Sequence, residues 1–210
     1  MKINICNVSK EISGMEILKD INVEMTGGKI YGIQGVNGSG KTMLMRAICG
    51  LIRVNQGEIS INEKVIGKDI SFPESIGVLI ENPGLIENYS AFDNLRTLAD
   101  IRKIATDDEI KELLTKLGLN PNDKKKVKKY SLGMRQKVGI AAAFIENPDI
   151  IILDEPFNAL DAKTSEILKK MIKEYINNDR IIVITCHDFA ILNSICDEII
   201  KMEEGCIVED

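Results

Sequence analysis

Gly35-Val36-Asn37-Gly38-Ser39-Gly40-Lys41-Thr42 is the stretch whose reading decides the fold. It satisfies the pattern of glycine, four residues, then Gly-Lys-Ser/Thr, in which backbone N–H groups cradle phosphate. Ahead of it, Lys29-Ile30-Tyr31-Gly32-Ile33 reads as a short buried strand, and Met43 to Gly50 behind it has the Leu, Met, Ala and Ile content of a helix. Strand, glycine loop and helix form the order that the motif needs. Glycines 35, 38 and 40 let the backbone curl with its N–H groups inward, and a helix beginning near Ser39 adds its positive dipole end. Lys41 then reaches the β- and γ-phosphates as a point charge, and the Thr42 hydroxyl takes one position on Mg²⁺. A glycine-rich turn matching by chance would not bring the strand and the helix with it.

Outward from the loop, the 210 residues suffice for one α/β domain with a good core. A net charge of −5 with pI near 5.2 argues against a general nucleic-acid binder. Five cysteines, at spacings matching no zinc or redox pattern and with no signal peptide ahead of them, are expected as reduced cytosolic thiols. No run approaches the roughly 20 apolar residues of a membrane span, so a membrane role is expected through a partner.

Residues 2–8 alternate polar and apolar as a half-buried strand, and Ile17 to Met25 repeats this after Ser13-Gly14. After the loop helix, Gly57 to Asn62 alternates again, with Val65-Ile66 a short partner. The opening third is therefore strand-rich. Ser75 to Ile80 is a compact apolar strand ended by Glu81-Asn82-Pro83-Gly84.

From there the period changes. Ser90-x-x-Asp93 and Thr106-x-x-Glu109 resemble capping boxes, and Phe92, Leu95, Leu98, Ala99, then Ile110, Leu113, Leu114, Leu117 recur at helical spacing. Residues about 86–146 thus read as a helical insertion between α/β parts at about 1–85 and 147–210. Lys124 to Lys129 is the one strong charge run, expected as a solvated loop rather than a specific anion or lipid-headgroup contact. Ser131 caps a long helix stopping at Asn147-Pro148.

Ile150-Ile151-Ile152-Leu153 is the continuous apolar run of a parallel strand covered on both faces, and it ends in Asp154-Glu155. That end is where open α/β sheets bind ligands. After a helix from about Ala162 to Ile176 comes a second buried strand, Ile181 to Thr185, with the sole histidine, His187, just past it. The phosphate loop, Asp154-Glu155 and His187 therefore meet at one sheet edge. Hydrolysis of a γ-phosphate needs a metal, a group orienting water and donors for developing charge. Asp154 would hold Mg²⁺ opposite Thr42, Glu155 would act as general base, and His187 would hydrogen-bond the γ-phosphate or the Glu155 side.

With these residues in view, nearly the whole chain resembles the nucleotide-binding subunits of ABC transporters. Gly35 to Thr42 matches their Walker A motif and Ile150 to Pro156 their Walker B motif with its catalytic glutamate. Ser131-Leu132-Gly133-Met134-Arg135-Gln136 looks like their signature, Asn158-Ala159-Leu160-Asp161 like their D-loop, and His187 like their switch histidine. The resemblance implies a P-loop NTPase core with a mainly parallel sheet, an N-terminal antiparallel β portion and a helical subdomain. It implies a cytoplasmic ATPase, attached peripherally to a membrane permease and paired with a second ATPase subunit, with two ATP molecules between Walker A of one copy and the signature of the other. Gly35, Asn37, Gly38, Ser39, Gly40, Lys41, Thr42 and Met43 would then bind nucleotide in one copy, with Ser131 and Gly133 contributing from across the interface and Asp161 of the D-loop also binding nucleotide. Lys41, Glu155 and His187 would carry catalysis, and Thr42, Asp154 and Glu81 would hold the metal.

Three departures from the family pattern matter. Leu132 and Met134 stand where many signatures have glycine, while Gly133 is retained. No Tyr, Phe or Trp precedes Tyr31, so adenine is expected to be held weakly or on an aliphatic side chain. Glu81 stands where the family carries glutamine, and with Asn82-Pro83 it looks like the E-loop of ATPases protecting bacteria against lantibiotics and bacitracin. The expected function is the ATPase subunit of an antimicrobial-peptide or drug exporter. The alternative, a soluble DNA-repair or translation ATPase, fits poorly with about 50 residues between Glu81 and Ser131 and no sustained heptads.

Overall fold

The computed structural model describes residues 1–208. Strands β1 (Lys2–Ile12) and β2 (Met15–Thr26) form an antiparallel hairpin around Ser13-Gly14. The alternation read over residues 2–8 marks only the first part of β1. Asn7 has a left-handed φ of 47°, and the register shifts between Ile5 and Val8. That bulge puts Val8 on the buried face out of phase with Lys2, which hides the continuation to Ile12. Next come β3 (Lys29–Gln34), helix α1 (Lys41–Ile48), β4 (Gln56–Ile61) and β5 (Lys64–Val65). One antiparallel sheet has the order β2-β1-β4-β5.

The chain continues through β6 (Ile76–Leu79), α2 (Ala91–Arg102), α3 (Asp107–Lys116), α4 (Leu132–Phe144) and β7 (Ile150–Leu153). It ends with α5 (Ala162–Tyr175), β8 (Ile181–Thr185), α6 (Phe189–Ile195), β9 (Glu198–Glu203) and β10 (Cys206–Val208). The second sheet has the order β10-β9-β3-β8-β7-β6, all parallel except β10. Ile33 pairs with Thr185, and Leu153 lies between Ile184 and Leu79, so the strands finish at one edge.

This sheet is buried on both faces, which is why β7 and β8 are continuous apolar runs. Ile150, Ile152, Ile181 and Val183 join Tyr31, Ile33, α1 and the antiparallel sheet in one core. Ile151, Leu153, Ile182 and Ile184 join α2 to α6 in the other. Helix α4 lies close on β6: a Cβ at Gly77 would sit 1.8 Å from the Ala143 carbonyl oxygen. The helices of 86–146 therefore share one hydrophobic cluster with the parallel sheet. Both expected capping boxes form, and Gly118 follows α3 at φ 74°.

Candidate active site

Among the described residues, five of the six α-helices are capped by a side chain at their first turn, by Ser90, Thr106, Ser131, Asp161 and Asp188. Helix α1 has none; its N-cap is Gly40, at φ 102°, a conformation that L side chains rarely adopt. The helix that follows the glycine loop is thus the one whose first N–H groups are left for a ligand. Lys41 folds back, its Nζ donating to the carbonyls of Gly35 at 2.8 Å and Val36 at 2.9 Å. The Ser39 Oγ is buried inside the loop without a partner.

At the foot of the loop, the Thr42 hydroxyl donates to Asp154 Oδ2 at 2.8 Å. The other carboxylate oxygen, Oδ1, accepts from the Thr185 hydroxyl at 2.7 Å, and that hydroxyl accepts the Glu155 N–H at 2.8 Å. Asp154 is therefore pinned between α1 and β8, two elements far apart in sequence. Glu155 has φ 50°, which turns the chain as the strand ends. Its Oε2 accepts the His187 N–H at 3.0 Å, while His187 Nε2 stands 3.4 Å from Oε1, a buried oxygen with no hydrogen bond. Burial raises the Glu155 carboxyl above the usual carboxylate range, opposed by the charge and backbone N–H of His187. Gln136 of α4 donates to the Glu155 carbonyl at 3.1 Å.

These groups open onto a cleft of about 560 Å³. Of the residues expected at the site, Asn37, Gly38, Gly40, Lys41, Thr42, Met43, Glu81, Asp154, Glu155 and His187 line it. Gly35 and Ser39, inside the loop, do not line the cleft; a Cβ on Gly35 would come within 2.5 Å of Ser39 Oγ. Three other expected residues do not line the cleft within one chain, although Leu132, between two of them, does. Ser131 caps α4 by accepting the Met134 N–H at 3.2 Å. A Cβ on Gly133 would lie 2.4 Å from the Ala159 carbonyl oxygen, so glycine is needed here for close packing as well. Asp161 caps α5, and the Thr164 N–H and hydroxyl that it accepts hold its carboxyl down at about 2. Glu81 lines the cleft, yet its Oε1 is 2.9 Å from Arg46 of α1 rather than bonded to Thr42 or Asp154.

Thr185, Gln136, Arg46 and Ile17 carry no role in the sequence reading. Thr185 had a signal: it is the polar end of an apolar run that neighbours Asp154 in a parallel sheet. Ile17 lines the cleft, whereas Ile12 and Met15 are exposed near the β1–β2 turn, where an aromatic was lacking.

The family model described as ABC transporter matches residues 18–158. The uncharacterized ABC transporter ATP-binding protein YybJ of Bacillus subtilis is 42% identical over 203 residues, covering 97% of this chain and 93% of that protein. The lantibiotic transport ATP-binding protein SrtF of Streptococcus pyogenes is 34% identical, covering 98% of this chain and 89% of SrtF. The bacitracin transport ATP-binding protein BcrA of Enterococcus faecalis is also 34% identical, over 97% of this chain and 67% of BcrA. Among solved structures, a dimeric post-hydrolysis state of the ATP-binding cassette MJ0796 bound to ADP and Pi superposes with TM-score 0.84 at 25% identity. That match covers 99% of this chain and 97% of the other. The alternative of a soluble repair or translation ATPase draws no support from these relatives.

Proposed function

This chain belongs to the ABC transporter family as an ATP-binding subunit that hydrolyses ATP, and on that premise we propose that it powers a separate permease conferring export of, or protection against, an antimicrobial peptide or drug. The names of SrtF and BcrA support the substrate class, and Glu81-Asn82-Pro83 agrees with it. The observation that carries the chemistry is the convergence of the uncapped α1, the Thr42–Asp154 pair and the Glu155–His187 pair on one cleft.

Thr42 and Asp154 offer two hard oxygens 2.8 Å apart at the foot of the phosphate loop. Among the described residues no group of three His, Cys, Asp or Glu forms a metal cage. Two protein oxygens completed by phosphate and water are what Mg²⁺ prefers, so these residues fit it. When bound, Mg²⁺ would neutralise charge on the phosphates. Lys41 would leave the Gly35 and Val36 carbonyls for phosphate oxygens. Glu155, whose Oε1 is unpaired and whose carboxyl pKa is raised, would take a proton from the attacking water. His187, exposed beside it, would contact the γ-phosphate. Ser131 and Gly133 would serve the nucleotide held by a second copy.

A second cleft of about 450 Å³, lined by Arg46, Leu51, Ile52, Leu79, Pro83, Leu85 and Ala142 among others, lies on the far side of the Glu81 turn. We assign the permease's cytoplasmic segment to it. Among the described residues no helix is long and apolar enough to cross a membrane, so the subunit would sit on the cytoplasmic face, held by that contact.

The test is Glu155→Gln. Turnover should fall at least a hundredfold, to about the level expected without a general base, while ATP drives a dimer visible by gel filtration. Monomers at saturating ATP, with binding intact, would defeat the shared-site reading.

A further inference from the structure

The lysine run at 124–129 takes no part in the nucleotide site or the docking cleft. It is nevertheless fixed in place. The Val127 side chain is fully buried, its N–H donates to the Tyr89 carbonyl at 2.8 Å, and the Lys128 N–H donates to the Glu87 carbonyl at 3.2 Å. Two backbone bonds thus staple the run to residues 87–89, which continue directly from Pro83-Gly84-Leu85 at the second cleft. Lys124, Lys125, Lys126, Lys128 and Lys129 are all exposed.

Their ammonium groups are free of carboxylates. Lys128 Nζ donates to Asn88 Oδ1 at 2.7 Å and Lys125 Nζ lies 5.8 Å from the Tyr130 ring centroid. Among the described residues, no lysine of the run is in an ion pair, whereas Lys111, Lys116, Lys137, Lys169 and Lys170 each are. The nearby carboxylates are otherwise placed: Glu87 stands 4.0 Å from Arg135, and Asp123 accepts the Lys125 backbone N–H. Beside the lysines, Ile86 is 45% and Tyr89 43% exposed. Five unpaired cations flanked by an exposed aromatic and an exposed aliphatic side chain make a surface suited to a bilayer interface.

We propose that this strip, Ile86 and Tyr89 with the lysines of 124–129, is a contact for anionic lipid headgroups. Its orientation toward the membrane rests on the permease reading, since a permease seated in the second cleft brings the bilayer to the same side. Its chemistry does not. Ammonium groups held by no carboxylate recognise a field of negative charge rather than one shaped ligand, and each lysine near such a surface strengthens binding by about fivefold. The strip would hold the subunit at the bilayer while the docking cleft gives specificity.

The full chain, without permease or nucleotide, should co-sediment with vesicles containing phosphatidylglycerol and not with pure phosphatidylcholine, and should be released by raising salt. Replacing Lys124, Lys126 and Lys129 together by Gln should weaken that partition by about a hundredfold and leave ATPase activity in solution unchanged. The matched control, Lys163→Gln, Lys170→Gln and Lys173→Gln on α5, removes the same charge from another face. Absence of binding to the anionic vesicles, or equal loss in the control, overturns the proposal. Neither result touches the ATPase assignment, which stands or falls on the Glu155 variant.

Discussion

Glu155 shows how one residue acquires its chemistry from its surroundings. Its backbone turns at φ 50°, one oxygen is held by the His187 N–H, and the other is buried and bare. Burial lifts the carboxyl pKa in the folded state above its unfolded value. The native state therefore binds this proton more tightly, and the site is least costly below the unfolded pKa of about 4.3. Stability is lost as pH rises through the folded value. Glu155→Gln, which keeps an acceptor for His187 but cannot ionise, should raise the melting temperature of the nucleotide-free protein by about 2 °C at pH 7, with the gain vanishing near pH 4. A melting series from pH 4 to 8 checks this, and a gain independent of pH would remove desolvation as its cause. The identity of Glu155 was legible from the carboxylates ending an apolar run. The support from Gln136 was not, because its bond to the Glu155 carbonyl joins residues that only tertiary packing makes neighbours, and Thr185 was marked only as the polar end of an apolar run.

Among the elements, the helices divide by how they begin. Helix α2 opens with Ser90 accepting the Asp93 N–H at 3.1 Å while the Asp93 carboxylate reaches back to Ser90. Ser90 is buried, so water cannot replace the lost bond. Ser90→Ala should therefore cost about 1 kcal/mol, read as a lower urea midpoint, with nucleotide affinity unchanged because α2 is remote from the phosphate loop. Such caps are legible locally because they span three residues. The same rule made α1 conspicuous, since a helix without a side-chain cap behind a glycine loop is open to phosphate. Strand β1 was read short for the opposite reason: its bulge at Asn7 is set by pairing with two neighbours, which the local alternation does not record.

For the whole molecule, the decisive arrangement is that two clefts share a wall. Glu81 faces the nucleotide cleft, Arg46 lines the second, and their side chains meet at 2.9 Å. A change of charge at the proposed metal site would then have a direct path to the proposed docking surface. Glu81→Gln removes the ion pair but not the fold. With a half-exposed pair contributing about 1 kcal/mol at most, basal ATPase should stay within about fivefold while transport through the reconstituted permease falls further. Equal loss of both would make Glu81 simply catalytic and leave Arg46 without a part in coupling.

By itself, the sequence determined that a phosphate loop sits between a buried strand and a helix, that two further apolar strands end in Asp154-Glu155 and near His187, and that helices fill the stretch after Ser90. Each of these rests on spacing or apolar period within a few residues, where the physics is local. Only the tertiary structure decided that Thr42 and Thr185 hold the two oxygens of Asp154, that Glu81 answers to Arg46, and that the lysine run is stapled beside the second cleft. Those contacts join residues far apart in the chain. Strand order and helix packing, not local pattern, bring them within hydrogen-bonding distance.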